Sequence, residues 1–232
     1  MRGRHRLCCC VVAATRFKPP LGTCCRRLRA TDRSLHLSSK AVGAQRISRS
    51  GHLALSSPPT TLEHLRIDRA DLLGFSNGGT IALHVAMRRP QLVRRLIVIT
   101  ALMKRSWADS QFWESMKTAR PEVMPRELRD AYIEVSPHPE NFELFFYKAR
   151  DRMRNFQDAP EDAIRTIAAP TLVVGSDRDV MRPEGAVELF RLLPHAQLAI
   201  LPRTEHTEIT TRTSWLVPMI NEFLDAEMPK SM

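Results

Sequence analysis

Residues 70–85 read ADLLGFSNGGTIALHV. The first six form a short apolar run that stops at a glycine-rich turn, which fits a buried strand. Beyond Asn77, Ile81, Ala82, Val85 and Ala86 recur at helical spacing, and Pro90 ends the pattern. Between the two lies Gly74-Phe75-Ser76-Asn77-Gly78, a G-x-S-x-G pattern in the strand–turn–helix context it requires. A turn this tight leaves no room for a side chain two positions either side of Ser76. The helix that follows aims its first N–H groups at the serine, where they favour developing negative charge. A glycine-rich turn can also carry an incidental serine, so the reading depends on partners elsewhere in the chain.

The chain downstream supplies them. VRRLIVIT (93–100), APTLVVGS (169–176) and AQLAILP (196–202) read as further strands, with helices in PEGAVELFRLLP and TSWLVPMINEFLDAE. Continuous apolar strands alternating with helices predict a mostly parallel sheet covered on both faces. A helical insertion, about 103–166, offers SQFWESMKT, PRELRDAYIEV, PENFELFFYKARDRMRNF and PEDAIRTI. It enters at the strand ends where ligands bind in open α/β sheets.

A serine hydroxyl needs a base to take its proton, and the base needs an acid to orient it. Among eight histidines, His206 follows a strand in the short loop RTEH, at the expected sheet edge. His5, His36 and His52 lie in the first sixty residues, while His64, His84, His138 and His195 fall in helices or helix-end loops. The stretch GSDRDVMRP offers Asp177 and Asp179. Asp179 is the chosen acid; Asp177 fits a turn-closing role. The order Ser76, Asp179, His206 is that of the G-x-S-x-G hydrolases.

On DLLGFSNGG, PTLVVGSDRDVMRP and LPRTEH, the chain from about Thr61 onward resembles the α/β-hydrolase superfamily. It is most similar to the helically capped serine hydrolases, a group of carboxylesterases, cofactor-free C–C bond hydrolases and lactonases. The resemblance implies that Ser76 attacks a substrate carbonyl, His206 acts as base and then acid, and Asp179 holds the imidazolium. It implies an acyl-enzyme, no metal and no organic cofactor. Asn77 would supply one oxyanion-hole N–H. Arg203 departs from the family pattern, which has glycine before the histidine, and should alter loop shape more than chemistry.

The first sixty residues read differently. The chain has 232 residues and a net charge of +10. Residues 1–60 hold 12 Lys/Arg against the single acid Asp32, leaving 23 bases and 24 acids in 61–232. All five cysteines, Cys8 to Cys10, Cys24 and Cys25, lie there too. The segment shows no sustained periodicity and is expected to be unstructured. Its profile fits an organellar transit peptide, a weak signal peptide, or a basic arm for nucleic acid or an anionic membrane. The cysteine spacing does not fit a metal loop, and LCCCVVAA is too short to span a bilayer. The family also has strands and a His-Gly loop before the elbow, the source of a second oxyanion donor; SGHLAL carries His52 with its glycine on the wrong side. The preferred reading is therefore a native domain from residue 61 to 232 joined to a wrongly translated start. Two expectations compete: a serine esterase acting on a small-molecule acyl substrate, or an impaired truncated hydrolase lacking the oxyanion loop. No nucleic-acid partner and no membrane span are expected. The cysteine-free domain points to the cytoplasm, or to an organelle if residues 1–60 are a transit peptide.

In the insertion, Phe142, Phe145 and Phe146 share one helical face, and most of its aromatics should pack the cap on the core rather than line an acyl pocket. The KARDRMR cluster could draw an anionic substrate, but a solvated helix face is the plainer reading.

Overall fold

A computed structural model of the chain describes residues 6–11, 34–35, 68–124, 126–136 and 138–227. Its strands are β1 (Arg6–Val11), β2 (Ser34–Leu35), β3 (Ala70–Phe75), β4 (Val93–Ile99), β5 (Thr171–Arg178) and β6 (Ala196–Glu205). They form one sheet in the order β2-β1-β3-β4-β5-β6, and every pair is parallel. The order reverses between β1 and β3, the position where open α/β sheets open a crevice at their carboxyl ends.

Alternation along each strand divides the core. Leu72, Leu96, Val98 and Val173 face α1 (Asn77–Arg88) and α6 (Pro183–Leu192). Leu73, Phe75, Ile97, Ile99, Leu172 and Val174 face Leu216, Ile220 and Phe223 of α7 (Thr213–Asp225). All six residues of β3 are buried, which is why that stretch reads as an apolar run in spite of Asp71, whose charge is met by Arg94. Near the amino end of β4, Arg95 is buried and donates through Nη1 to the Phe223 carbonyl at 2.8 Å. Its Nη2 reaches the Ala226 carbonyl, so a strand residue caps the end of α7.

Between β4 and β5 lie α2 (Ser110–Thr118), α3 (Arg126–Val135), α4 (Phe142–Arg154) and α5 (Glu161–Arg165). Asp109 starts α2 by accepting the Gln111 N–H at 2.7 Å. Phe142 and Phe146 are buried, and Phe145 stacks on Tyr132 with ring centroids 4.6 Å apart, so these phenylalanines pack the cap. Both arms of the insertion meet at Lys104, whose Nζ donates to Glu161 and Glu188 at 2.5 Å each. Trp107 Nε1 donates to the other oxygen of Glu188 at 2.8 Å.

The structure differs most from the sequence expectation at the start of the chain. Arg6–Val11 and Ser34–Leu35, from the segment expected to be unstructured, pair in the sheet, with Cys10 and Val11 in register with Gly74 and Phe75. An unalternating apolar run such as LCCCV is the composition of a strand covered on both faces, and a search for alternation passes over it. The other readings of residues 1–60, His52 and the SGHLAL stretch among them, lie outside the described residues, as does the helix end expected at 61–67. Among the described residues, no helix is long and apolar enough to cross a membrane.

Candidate active site

The turn after β3 is as tight as its glycines require. An added Cβ at Gly74 would sit 2.3 Å from the Gly78 carbonyl oxygen, and one at Gly79 would sit 2.8 Å from the Ala101 Cβ. Ser76 itself takes φ 53°, ψ −122°, a conformation that L-residues hold only where the surroundings over-determine it. Here its N–H donates to the Ile99 carbonyl at 2.8 Å, and its own carbonyl accepts the Thr80 N–H at 3.1 Å. The strand's neighbour and the first turn of α1 thus hold the serine from both sides. Asn77, first residue of α1, keeps a backbone N–H without an intrahelical acceptor beside the serine.

β5 and β6 end next to it. Asp179 directly follows β5 and His206 directly follows β6. His206 Nδ1 lies 2.7 Å from Asp179 Oδ1, and Nε2 lies 3.0 Å from Ser76 Oγ. An ionised Asp179 only accepts, so Nδ1 carries the proton and Nε2 is free to accept the serine O–H. The imidazole is a quarter exposed while the Asp179 side chain is fully buried. The ring rests against Phe75, centroids 5.0 Å apart. Asp179 is held in turn: Oδ1 accepts the Met181 N–H at 3.0 Å, and Oδ2 accepts the Ser176 hydroxyl at 3.3 Å. Ser76, His206 and Asp179 therefore form one hydrogen-bonded line at the carboxyl edge of the sheet.

Asp177 stands outside that line. Its Oδ1 accepts the Thr204 N–H at 3.2 Å, and the Arg203 and Thr204 amides hold its carboxyl below the usual carboxylate range. Asp177 lies within β5 and bonds across to the end of β6, so the turn-closing role expected of it is not the contact the structure shows. Arg203 has φ 49°, so the position where the family has glycine does adopt the left-handed conformation glycine favours. Among the described residues, the other non-glycine positions with positive φ are Ser76 and Thr100. All three lie near the carboxyl ends of strands, where strain gathers at functional sites.

The remaining histidines with described positions lie elsewhere: His84 on α1, His138 beside Glu140 in the cap, His195 just before β6. Sequence reasoning missed Ser176 and the Phe75 platform. Ser176 reads as one more residue of a buried strand, and Phe75 as core; their roles depend on how β5 and β6 end side by side.

The loop carrying Asp179 is also stitched to the first arm of the cap. Asp109 N–H donates to Val180 at 3.1 Å, Arg182 N–H to Trp107 at 2.8 Å, and Ala108 bridges Met181 in antiparallel fashion. Gly185 permits this approach, since a Cβ there would lie 2.6 Å from that of Trp107.

Known proteins resemble the chain at several levels. A profile of the alpha/beta hydrolase fold matches residues 60–156. The chain is 27% identical over 185 residues to a 2-hydroxy-6-oxo-2,4-heptadienoate hydrolase of Pseudomonas putida, covering 72% of this chain and 67% of that protein. It is 30% identical over 159 residues to a Rhizobium rhizogenes protein named as a candidate carbamate hydrolase, RutD, covering 59% of each. The chain thus spans between 59% and 67% of the length of these curated relatives. The solved structure of the meta-cleavage product hydrolase CumD of Pseudomonas fluorescens superposes with a TM-score of 0.75 at 18% identity, covering 96% of this chain and 92% of that one. With the parallel sheet, the G-x-S-x-G elbow after β3 and the matching profile in agreement, the chain has the α/β-hydrolase fold.

Proposed function

We propose that the chain is a serine hydrolase that cleaves a carboxylic ester or related acyl compound through an acyl-enzyme. One observation carries the reading: a single imidazole bridges Ser76 Oγ at 3.0 Å and buried Asp179 at 2.7 Å. In that geometry Ser76 Oγ attacks the substrate carbonyl as its proton passes to His206 Nε2. The imidazolium is stabilised by Asp179 through Nδ1–H. The oxyanion develops beside the Asn77 N–H at the start of α1, where a backbone donor is worth on the order of 10²–10³ in rate. His206 then returns the proton to the leaving group, and water, deprotonated by the same imidazole, releases the acid. This route needs neither metal nor organic cofactor. A cytoplasmic setting belongs to the same proposal, on the absence of cysteine from residues 61–232.

A second reading, cleavage of a C–C bond beside a carbonyl, is favoured by the names of two relatives, a 2-hydroxy-6-oxo-2,4-heptadienoate hydrolase and a 2-hydroxymuconate semialdehyde hydrolase. It uses the same residues and differs in the leaving group, a carbanion that must be protonated. A fluorophosphonate probe tests what both readings share. Labelling of Ser76, abolished in Ser76→Ala, is the expected result. Absent labelling, or labelling unchanged in the variant, would sink the proposal in favour of an impaired hydrolase. Turnover of p-nitrophenyl acetate against a vinylogous 6-oxo-dienoate then separates ester from C–C cleavage.

A further inference from the structure

The β5–β6 ladder runs in register from Thr171↔Ala196 to Ser176↔Leu201 and resumes at Arg178↔Glu205. Across the shift, Pro202, Arg203 and Thr204 stand opposite Asp177 alone, a bulge in β6 immediately before His206. Bulges re-aim the strand end, and they leave amides without ladder partners. Thr204 is fully buried, so its N–H must find an acceptor within the protein. The acceptor is Asp177 Oδ1 at 3.2 Å. Other contacts secure the same bulge: Thr204 Oγ1 donates to the Pro202 carbonyl at 2.8 Å, and Arg212 Nη2 to the Arg203 carbonyl at 2.9 Å. Arg203 meanwhile holds φ 49°, a conformation the local sequence resists and its surroundings impose.

We propose that Asp177 is a positioning residue, clasping the bulged end of β6 to the end of β5 so that the His206 imidazole spans Ser76 and Asp179. The inference rests on the serine-hydrolase reading. Two acids of one short segment then act on one histidine by different routes. Asp179 holds the ring through Nδ1, and Asp177 holds the backbone that delivers the ring. The requirement on Asp177 is an acceptor at the right place, so an amide oxygen serves and a displaced carboxylate does not.

The test compares Asp177→Ala, Asp177→Asn and Asp177→Glu in the full chain, read by p-nitrophenyl acetate kinetics and by the low-field ¹H resonance of His206 Nδ1–H, assigned with His206→Gln. Asp177→Ala should lower kcat about tenfold with KM within about twofold, since a sub-ångström error in the base affects the transition state more than binding. Its low-field signal should broaden or vanish. Asp177→Asn should keep the signal and stay within about threefold of wild type, because its Oδ1 still accepts. Asp177→Glu, charged but one methylene too long, should behave like Ala and carries the comparison if Asp177→Ala does not fold. Adding Arg203→Gly to Asp177→Ala should recover part of kcat, because glycine holds the left-handed turn unaided. The proposal is overturned if Asp177→Ala keeps both signal and kcat, or if Asn falls as far as Ala. A wild-type chain that shows the resonance but turns over no ester would count against the hydrolase reading, while the resonance in the variants still decides on Asp177.

Discussion

Replacing Gly74 with alanine tests the elbow most directly. The new Cβ would lie 2.3 Å from the Gly78 oxygen, 2.4 Å from its carbonyl carbon and 2.5 Å from the Gly79 nitrogen. These are backbone atoms at the start of α1 and cannot rotate aside. Ordinary contact begins near 3.4 Å, so the end of β3 and the start of α1 must part by about 1 Å in a core packed like a crystal. Overpacking of this kind costs about 2–3 kcal/mol, which lowers Tm by about 5–10 °C in a chain of this size. The same shift acts on Ser76, which stands between those two elements. A 3.0 Å contact with His206 lengthened by about 1 Å is no longer a hydrogen bond, and the serine's reaction with a fluorophosphonate should slow about 10²-fold. Gly79→Ala is the graded control. Its closest contacts are the Ala101 Cβ at 2.8 Å and the Gly74 oxygen at 3.1 Å, so both losses should be smaller. Labelling rates and thermal melts of the two variants measure the prediction. A Gly74→Ala protein that labels within threefold of wild type and melts within 2 °C of it would refute the reasoning.

Two further outcomes follow from groups away from the serine. Arg95→Met keeps the aliphatic stem but leaves the Phe223 and Ala226 carbonyls at the end of α7 without their donors; it should cost about 2–4 kcal/mol, while fluorophosphonate labelling of Ser76 proceeds at the wild-type rate. A melt within 2 °C of wild type would show that the cap on α7 is dispensable. Burial first, and then the charges of Arg88 and Arg152, lower the pKa of His84 from 6.5. With its folded pKa below its unfolded one, the unfolded chain takes up the proton first, so stability is full above about pH 6.5 and falls as pH drops below it. In His84→Gln, urea midpoints should therefore decline less between pH 7 and pH 5 than in the wild type; parallel declines would remove His84 as the cause.

Local patterning reached far into this fold. β3 was legible to the residue, because a strand buried on both faces leaves an apolar run, here broken only by Asp71, which pairs with Arg94. The same rule applied to LCCCV would have found β1, yet there the run is set among arginines and serines and lacks the helical pattern that follows β3. β5 and β6 run two and three residues beyond their apolar stretches, through Arg178 and Glu205. Those last residues pair across the bulge rather than in the core, so hydrophobicity does not mark them.

For the site, the three candidate side chains could be named from type and order alone, since each follows a strand and all strands of a parallel sheet end on one edge. Residue type and order thus carry a doubly covered parallel sheet, the elbow, and which serine, acid and histidine share its edge. Asp179 could be chosen over Asp177 from the sequence, but the partner of each carboxylate needed coordinates. The two carboxylates are separated by one residue, yet a register shift turns one toward the Thr204 amide and the other toward the His206 ring. The Phe75 platform, the Ser176 hydroxyl and the stitching of the acid loop to Trp107 and Asp109 likewise required tertiary structure. Sequence periodicity reports which face of an element is apolar. Where two strand ends and an inserted arm meet, distances of a few tenths of an ångström decide which polar atom bonds to which, and those are set by packing between segments far apart in the chain.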